Sequence, residues 1–381
     1  MPPRRVLVSA VPAIGHVVPL LDLARALQAA GHEVRFATHP QSHGLVTDAG
    51  LRPVAAGMGT VEMAAERRRR WPETDTQPAT VWATRMWAQI MAPSTLADLV
   101  TAVEDWRPDV VVHDEGEYAA PVVAAHAGVP WITHGWGSPL RPVGELDELE
   151  DLAAPLWAPC GLDVPPSAGL YAHALVNPCP PILQADAPGA AVVWPLRPRP
   201  LATPGTPPLA QPDADAYVGF GTVPHFADAP DELAAAVRAC TARGLRVVVT
   251  APSPELRRAL VAIDPHRVEA YAFVPLAEVV RSCRVVISHA GAGTVLAALG
   301  AGVPVVLVPR GSPSQVRMAD ACHRAGVGRR CGSDPADVAD ALDQVLDGPA
   351  IKAAAETAAA QIAALPTASE VVARIEHLAG A

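Results

Sequence analysis

The sequence predicts an α/β protein of two Rossmann-like domains, each with a parallel β-sheet, and three observations support this prediction. The chain has 381 residues, whereas a single domain usually holds about 100–200. Short β-branched runs alternate with helical patterns in both halves of the chain. A proline-rich stretch at residues 193–212 separates the two halves. Because half of the residues are hydrophobic, each half can bury a core of its own.

The N-terminal half begins with a strand, a loop, a helix and a second strand. Residues 6–10 form a short apolar run, leucines follow at helical spacing, and an alternating pattern resumes at 33–38. Gly31 ends the predicted helix, because glycine accepts the left-handed conformation that follows a helix. The same pattern recurs as a strand at 110–114, a helix at 118–127 and a strand at 129–133. Such units predict parallel strands joined by right-handed crossovers.

The C-terminal half repeats this architecture. Its predicted strands are residues 216–222, 246–251, 285–288 and 303–309, and its alanine-rich helices are 335–348 and 351–364. Pro366 interrupts the helical pattern before a last short helix at 369–378. We therefore predict an N-terminal domain at 1–195, a proline-rich linker at 196–213, a second domain at 214–365, and a tail at 366–381 that packs back toward the first domain.

Charge and cysteine content exclude several classes of function. The net charge is −10, which argues against nucleic-acid binding because phosphate contacts need clustered Lys and Arg. The basic run from Arg67 to Arg70 has two readings, a solvated face or a contact for an anionic ligand. The six cysteines form no CxxC pair and no zinc-ligand spacing, so we expect reduced thiols and no metal.

Hydropathy gives an expectation for location. No uninterrupted apolar stretch reaches the roughly 18 residues of a membrane span. The first residues lack the apolar segment of a secretory signal. We expect a cytoplasmic protein without a membrane span, either a monomer or a homodimer.

The most informative segment is a glycine loop between a strand and a helix at residues 285–300. Gly291 and Gly293 allow backbone amides to approach a ligand closely, and His289 stands just before them. A helix that opens near Thr294 points unpaired N–H groups and its positive dipole end into this loop. The pattern predicts an anion site. A tight turn whose glycines only relieve steric crowding is the alternative.

Several motifs together resemble those of natural-product glycosyltransferases with the GT-B fold. They are the run from His289 to Thr294 followed by Gly302-Val303-Pro304, Gly15-His16, the segment 177–184, Gly219-Phe220-Gly221-Thr222 and Phe273-Val274-Pro275. The resemblance spans most of the chain. It implies two Rossmann-like domains whose parallel sheets face each other across a cleft. It also implies a sugar transfer in that cleft, from a nucleotide diphosphate donor to a hydroxylated aglycone.

The resemblance implies where the donor binds. The backbone at Phe273 and Val274 brackets the pyrimidine base. The diphosphate is held with help from Gly221 and Thr222 by the loop His289, Ala290, Gly291, Ala292, Gly293 and Thr294. The donor, a TDP-sugar or a UDP-sugar, is then a co-substrate, and no separate cofactor is implied.

The chain departs from the family pattern after Pro309. Ser314 stands where the family has an aspartate that contacts sugar hydroxyls, and Gln315 keeps the neighbouring glutamine. Met318 stands where an asparagine is usual. A charge-assisted hydrogen bond to the sugar is therefore missing, which favours a deoxy sugar with fewer hydroxyls. Relaxed or lost activity is the alternative.

His16 is the predicted general base. It follows the carboxyl end of the first strand, which is the edge where open α/β sheets bind ligands. An imidazole titrates near neutral pH, as required of a group that takes a proton from an acceptor hydroxyl. Asp114 ends another central strand and matches the acid that the family pairs with its histidine, with Glu115 as the alternative. The pair predicts an inverting transfer.

The acceptor region is expected in the stretches 57–91 and 131–157. Six of the eight tryptophans concentrate there: Trp71, Trp82, Trp87, Trp131, Trp136 and Trp157. Flat indoles suit a pocket for an aromatic or polyketide aglycone, although amphipathic helices also bury tryptophan. Asp213-Ala214-Asp215 has the Asp-x-Asp pattern of magnesium-dependent transferases, but it follows the linker rather than a central strand. We therefore predict a metal-independent reaction.

The function predicted from sequence is an inverting glycosyltransferase of natural-product biosynthesis. Three alternatives stay open at this point. The first is a catalytically idle protein of the same fold that acts as an auxiliary or binding partner, suggested by Ser314 and Met318. The second is a C-glycosyltransferase, since the same base would deprotonate a phenol. The third is a nucleotide-sugar epimerase, which the tryptophan-bearing acceptor region argues against.

Overall fold

A computed structural model describes residues 2–184, 192–199, 214–222 and 227–380 of the chain. Two all-parallel sheets organise these residues, one of seven strands in the order β3-β2-β1-β4-β5-β6-β7 and one of six in the order β10-β9-β8-β11-β12-β13. The part of the chain that carries the first sheet is called the N-terminal half below, and the part that carries the second is called the C-terminal half. The α/β prediction is confirmed.

The strands are short and mostly buried. Those of the N-terminal half are β1 (Arg5–Ser9), β2 (Glu33–Thr38), β3 (Arg52–Ala55), β4 (Val110–Asp114), β5 (Trp131–His134), β6 (Ala174–Asn177) and β7 (Val193–Pro195). Those of the C-terminal half are β8 (Ala216–Gly219), β9 (Val247–Thr250), β10 (Val268–Tyr271), β11 (Val285–Ser288), β12 (Val305–Leu307) and β13 (Gly328–Arg330). The central strand β4 is buried along its whole length, as expected for a parallel strand covered on both faces.

Helices cover both sheets. Those of the N-terminal half are α1 (Ile14–Ala29), α2 (His43–Asp48), α3 (Thr60–Arg70), α4 (Ala79–Met86), α5 (Ala92–Trp106), α6 (Ala119–His126) and α7 (Val143–Trp157), with a π-helical turn at Trp87–Met91 between α4 and α5. Those that follow are α8 (Pro230–Thr241), α9 (Pro254–Val261), α10 (Leu276–Val279), α11 (Ala292–Gly300), α12 (Pro313–Arg324), α13 (Pro335–Leu346), α14 (Pro349–Ala364) and α15 (Ala368–Leu378).

The structure differs from the sequence prediction mainly at element ends. The strand predicted at 216–222 stops at Gly219, because Gly221 turns the chain with a φ of +85°. Helix α14 begins at Pro349, two residues before the predicted start, since proline is favoured in the first turn of a helix. Most of the predicted linker 196–213 lies outside the described residues, and so does Asp213. Asp215 accepts a hydrogen bond from the Arg246 backbone N–H at 2.9 Å.

The last helix, α15, packs on the N-terminal half. Its Val371 and Ile375 share a hydrophobic core with the leucines of α1, and Glu376 Oε1 lies 3.0 Å from His32 Nε2. Ahead of this helix, the Pro366 carbonyl accepts a hydrogen bond from the Arg197 backbone N–H at 2.7 Å. The chain therefore returns to the first sheet after completing the second.

Each sheet has one place where the strand order reverses. In the first sheet β1 lies between β2 and β4, and in the second β8 lies between β9 and β11. Loops after the two central strands diverge there to opposite faces and leave a crevice at the carboxyl ends, where open α/β sheets bind ligands. The fold thus offers two such crevices, one for each half.

Candidate active site

In the N-terminal crevice, Asp114 holds the imidazole of His16. The Nδ1 atom of His16 lies 3.0 Å from each carboxylate oxygen of Asp114. Strand β1 pairs directly with β4, so the loop after β1 and the end of β4 lie side by side. A carboxylate has no proton to donate, so Nδ1 carries the hydrogen, and Nε2 of the neutral ring keeps its lone pair.

Asp114 is fully buried yet stays ionised. Burial by itself raises the pKa of this carboxyl, but His16 and hydrogen bonds from backbone N–H groups outweigh that effect and leave the pKa below its ordinary value. The donors are Gly116 N at 3.0 Å and Val11 N at 3.3 Å. A fixed negative charge beside Nδ1 both orients the ring and stabilises its protonated form.

Two tryptophans and a glycine enclose the His16 ring. The ring centroid lies 4.6 Å from that of Trp136, edge-on, and 5.2 Å from that of Trp87. A Cβ atom on Gly116 would stand 3.1 Å from His16 Cε1, so any larger residue would crowd the ring. The side chain is nonetheless 18% exposed, and this leaves part of the imidazole open to the crevice.

Glu115, the alternative partner for His16, is engaged elsewhere. Its Oε1 accepts a hydrogen bond from the Tyr171 hydroxyl at 2.8 Å and lies 3.5 Å from Nε of the buried Arg141. The Arg141 guanidinium in turn lies 5.8 Å from the ring centroid of Trp136. The acid beside His16 is therefore Asp114.

Sequence reasoning missed a third buried carboxyl in this crevice, that of Glu117. It accepts hydrogen bonds from the Ser9 hydroxyl at 3.1 Å and from the backbone N–H groups of Ala119 and Ala120, both at 2.9 Å. Burial raises its pKa to about 7. Because glutamate is not among the usual N-cap residues, no sequence signal pointed to this carboxyl.

In the C-terminal crevice, the His289 ring lies between two glycines. Cβ atoms built on Gly221 and Gly291 would stand 2.7 and 2.6 Å from His289 Cε1. The imidazole fills the space beside Gly291, so packing against His289 by itself requires a glycine at this position. Gly293 differs, since nothing lies within 4 Å of its missing side chain. This glycine leaves the loop open to a ligand.

His289 is a neutral imidazole at physiological pH. Burial lowers its pKa to about 4, and the nearby Arg310 acts in the same direction against a hydrogen bond with the Gly219 backbone. Ala290, the next residue, has a φ of +68°, a left-handed conformation that is uncommon for alanine. This turn aims the chain into α11, for which Gly291 is the N-cap. The first-turn N–H groups of Ala292, Gly293 and Thr294 belong to the open end of that helix.

The remaining predicted donor residues differ in exposure. Phe273 is 39% exposed, which is unusual for a phenylalanine, while Val274 is buried. Thr222 is exposed beside Gly221. An exposed aromatic edge at a crevice provides a surface for a flat ring.

The segment after β12 contains the residues that depart from the family pattern. The buried Gln315 uses its Oε1 to accept a hydrogen bond from Arg310 N at 2.9 Å, so it braces its own loop. Ser314 Oγ lies 3.0 Å from Ser312 Oγ. Met318 is fully buried, with its sulfur 3.9 Å from that of Cys322. This segment presents no carboxylate between Pro309 and Ala319.

The two halves meet around these crevices. Arg317 on α12 donates from one nitrogen to both oxygens of Glu145 on α7, at 2.8 and 2.6 Å. Gly137, in the loop after β5, has a φ of +93° and lies against the side chain of Leu296 on α11. Both contacts join the helix layer beside His16 to the helix layer beside His289.

The tryptophans of the predicted acceptor region divide into three groups. Trp87 and Trp136 contact His16, as expected of acceptor-site residues. Trp131 and Trp157 are buried in the core of the N-terminal half, so the expectation that they line a pocket is wrong. Trp71 and Trp82 stack under guanidinium groups, Trp71 beneath Arg85 at 4.0 Å and Trp82 beneath Arg67 at 4.6 Å.

The basic run is largely paired. Arg67 is buried and donates to Asp75 at 2.6 Å. Arg69 and Arg70 both donate to Glu66, which lowers the pKa of that partly exposed carboxyl to about 2. Neither reading of this run holds for Arg67, which is neither solvated nor open to an anionic ligand.

Two kinds of feature are absent from the described residues. They contain no group of three or more His, Cys, Asp or Glu side chains placed to hold a metal ion. They also contain no helix long and apolar enough to cross a membrane. All six cysteines are free thiols.

Known proteins with similar sequences fall in one group. Residues 25–146 match the domain described as Erythromycin biosynthesis protein CIII-like, N-terminal domain, and residues 225–378 match the corresponding C-terminal domain. Elloramycin glycosyltransferase ElmGT of Streptomyces olivaceus is 32% identical over 99% of this chain and 98% of its own length. L-demethylnoviosyl transferase of Streptomyces niveus is 32% identical over 80% of this chain and 79% of its own.

Solved structures agree with this grouping. Spinosyn rhamnosyltransferase SpnG complexed with thymidine diphosphate is 28% identical, with a TM-score of 0.79 over 98% of this chain and 100% of that one. The same enzyme complexed with spinosyn aglycone gives 27% identity and a TM-score of 0.78 over the same shares of the two chains. These similarities confirm the predicted GT-B fold.

Proposed function

Because this chain belongs to the EryCIII-like family of natural-product glycosyltransferases, we propose that it transfers a deoxy sugar from a TDP-sugar to an aglycone hydroxyl. The transfer inverts the anomeric carbon. The observation that carries this proposal is the His16–Asp114 pair in one crevice, with an open glycine loop at a helix N-terminus in the other.

In the proposed reaction, Nε2 of His16 takes the proton of the acceptor hydroxyl. The acceptor oxygen forms a bond to the anomeric carbon, from the face opposite the diphosphate, and the bond from that carbon to the diphosphate oxygen breaks. Asp114 stabilises the imidazolium that forms. TDP leaves with its charge facing the N-terminus of α11, where first-turn N–H groups and the helix dipole favour an anion.

The choice of a TDP-linked deoxy sugar has two supports. SpnG, a full-length structural neighbour, is described as complexed with thymidine diphosphate. In this chain the segment after β12 has Ser314 in place of the family's acid, and the Gln315 side chain accepts a hydrogen bond from the Arg310 backbone N–H. A sugar site with fewer polar partners suits a donor with fewer hydroxyls.

Trp87 and Trp136 support an acceptor with a flat apolar body. Both rings contact His16, so an acceptor whose hydroxyl reaches the base also passes these indoles. A phenol or an alcohol on a rigid apolar scaffold satisfies this geometry. We expect the aglycone to bind on the N-terminal half and the donor on the C-terminal half.

Thermal unfolding with and without nucleotides tests the donor assignment. TDP at about 100 times its Kd stabilises the folded protein by roughly 2.7 kcal/mol, and we expect a clear rise in Tm with TDP and a smaller one with UDP. Turnover assays with TDP-deoxysugars and a panel of phenolic and alcoholic aglycones then follow. TDP binding without turnover on any acceptor would favour the idle auxiliary protein, the second candidate suggested by Ser314 and Met318. No shift with either nucleotide would refute the donor site.

A further inference from the structure

The glycine loop alone does not balance the negative charge of the diphosphate that is proposed to bind there. From His289 to Thr294 the imidazole is the loop's only ionisable side chain, and it is neutral at physiological pH because burial lowers the pKa of His289 to about 4. The helix terminus supplies the equivalent of about +0.5 charge. A nucleoside diphosphate carries more than one full negative charge at neutral pH, so a cation is expected nearby.

Arg310 is placed at the same sheet edge as this loop. Strands β11 and β12 are neighbours, with Ser288 opposite Leu307 and the Val308 N–H donating to the Ser288 carbonyl at 2.9 Å. Arg310 therefore follows β12 at the level where the glycine loop follows β11. Its electrostatic effect on His289 agrees with this placement.

The guanidinium of Arg310 is held but not saturated. Its Nη1 atom forms an ion pair with Glu232 in the first turn of α8, and both side chains are 22% exposed. Its Nε atom is buried and has no hydrogen-bond partner among the described residues. The backbone N–H of the same residue is fixed by Gln315. An arginine whose backbone is held in place and whose Nε–H has no partner can donate hydrogen bonds to an oxyanion.

We propose that Arg310 is a catalytic residue that binds the diphosphate of the donor and neutralises it as it leaves. The proposal rests on the function proposed above. The guanidinium pairs with Glu232, and it exchanges this carboxylate for phosphate oxygens when the donor binds. Gln315 is the positioning residue that fixes the start of this side chain. The planar fork of arginine suits two phosphate oxygens, which lysine would contact only as a point charge.

Arg310→Met tests this assignment through binding alone. We expect the Kd of TDP, measured by calorimetry, to rise about 10- to 100-fold, while the Kd of thymidine, which has no phosphate, changes less than about twofold. The Kd of TDP for Arg310→Lys should fall between those of Arg310→Met and the wild type. Arg243→Met is the matched control, because Arg243 has the same 22% side-chain exposure and also pairs with a carboxylate, that of Asp343. It should leave both dissociation constants unchanged.

Glu232→Gln separates a phosphate contact from a structural role. If Arg310 serves only to hold Glu232, Arg310→Met and Glu232→Gln should have the same effect. Both should then weaken the binding of thymidine as well as that of TDP, and this result would overturn the proposal. If Arg310 binds phosphate, Glu232→Gln should bind TDP as tightly as the wild type or more tightly. Should Arg310→Met fail to fold, the double variant Glu232→Gln/Arg310→Met removes the unpaired acid and should show the same selective loss of TDP.

The result for the wild type distinguishes this proposal from the one it rests on. A wild-type protein that binds no TDP would defeat both the proposed function and the Arg310 assignment. A wild type that binds TDP, with an Arg310→Met variant that binds it equally, would defeat the Arg310 assignment alone.

Discussion

Each of the two crevices contains one histidine near the carboxyl ends of the central strands, yet the two histidines differ in position and in surroundings. His16 follows β1, touches a buried carboxylate through Nδ1, and is 18% exposed at its side chain. His289 follows β11, lies between Gly221 and Gly291, and is held neutral by burial, which lowers its pKa to about 4. The same side chain is thus paired with an acid in one half and is a neutral polar wedge in the other.

The difference shows that the protonation behaviour of a histidine depends on the partner of its second ring nitrogen and on its access to solvent. A carboxylate at Nδ1 favours the protonated ring, which a general base needs during the reaction. A buried pocket beside an arginine disfavours it. A neutral imidazole carries no positive charge that would repel the neighbouring Arg310 guanidinium. It still has one N–H group that can form a hydrogen bond.

The largest expected effect is on turnover when His16 is replaced. His16→Ala should lower kcat by about 10² to 10⁴, the usual contribution of a general base. The Kd of TDP should stay within about twofold, because the proposed donor site lies in the other half. Stopped-flow turnover and calorimetry measure the two quantities. Weaker TDP binding with turnover intact would reverse the roles of the two histidines.

A smaller effect distinguishes the two glycines of the loop. Gly291 has a φ of −65°, so alanine is allowed there by the backbone, but its Cβ would press on His289. Gly291→Ala should destabilise the free protein by on the order of 1–3 kcal/mol, the usual result of overpacking.

Gly293→Ala is the matched control, since open space surrounds that position. We expect its unfolding free energy in urea to equal that of the wild type and its TDP affinity to fall. Equal loss of stability in both variants would mean that the His289 ring is not the obstacle.

The smallest effect is on the pH dependence of stability. A histidine with a folded pKa of about 4 and an unfolded pKa near 6.5 binds more protons when unfolded. Its stabilising contribution is complete above about pH 6.5 and is lost as the pH falls toward 4. From pH 7 to 5.5, His289 should account for about 1 kcal/mol of lost stability.

Urea unfolding at these two pH values checks this prediction with His289→Asn. The buried His113 and His134 also have a pKa lowered to about 4 by burial, so the variant should reduce the pH dependence without removing it. If the unfolding free energy of the variant depended on pH as steeply as that of the wild type, a histidine other than His289 would be responsible for this pH dependence.

Much of this arrangement was predictable from the sequence because parallel strands bring their carboxyl ends to one edge. Residues 98 positions apart, His16 and Asp114, meet because β1 and β4 are neighbours. The glycine loop was predictable from its strand and helix on either side. The reason for Gly291 was not, since it depends on which way the His289 ring turns.

The tryptophans show the same limit. Trp136 and Trp131 lie five positions apart around one strand, and only the first contacts His16. Trp131 donates its indole N–H to the Gly169 carbonyl at 2.7 Å, a partner 38 residues away along the chain. Composition indicates that indoles concentrate in this region, but tertiary packing decides which of them face the crevice.

The return of the chain to its first sheet has a mechanical consequence. The polypeptide passes between the halves twice, once after β7 and again before α15, and Arg197 ties the two passages together through the carbonyls of Pro366 and Leu365. A single tether would let the halves tumble independently. A second connection limits how far the halves can turn relative to each other.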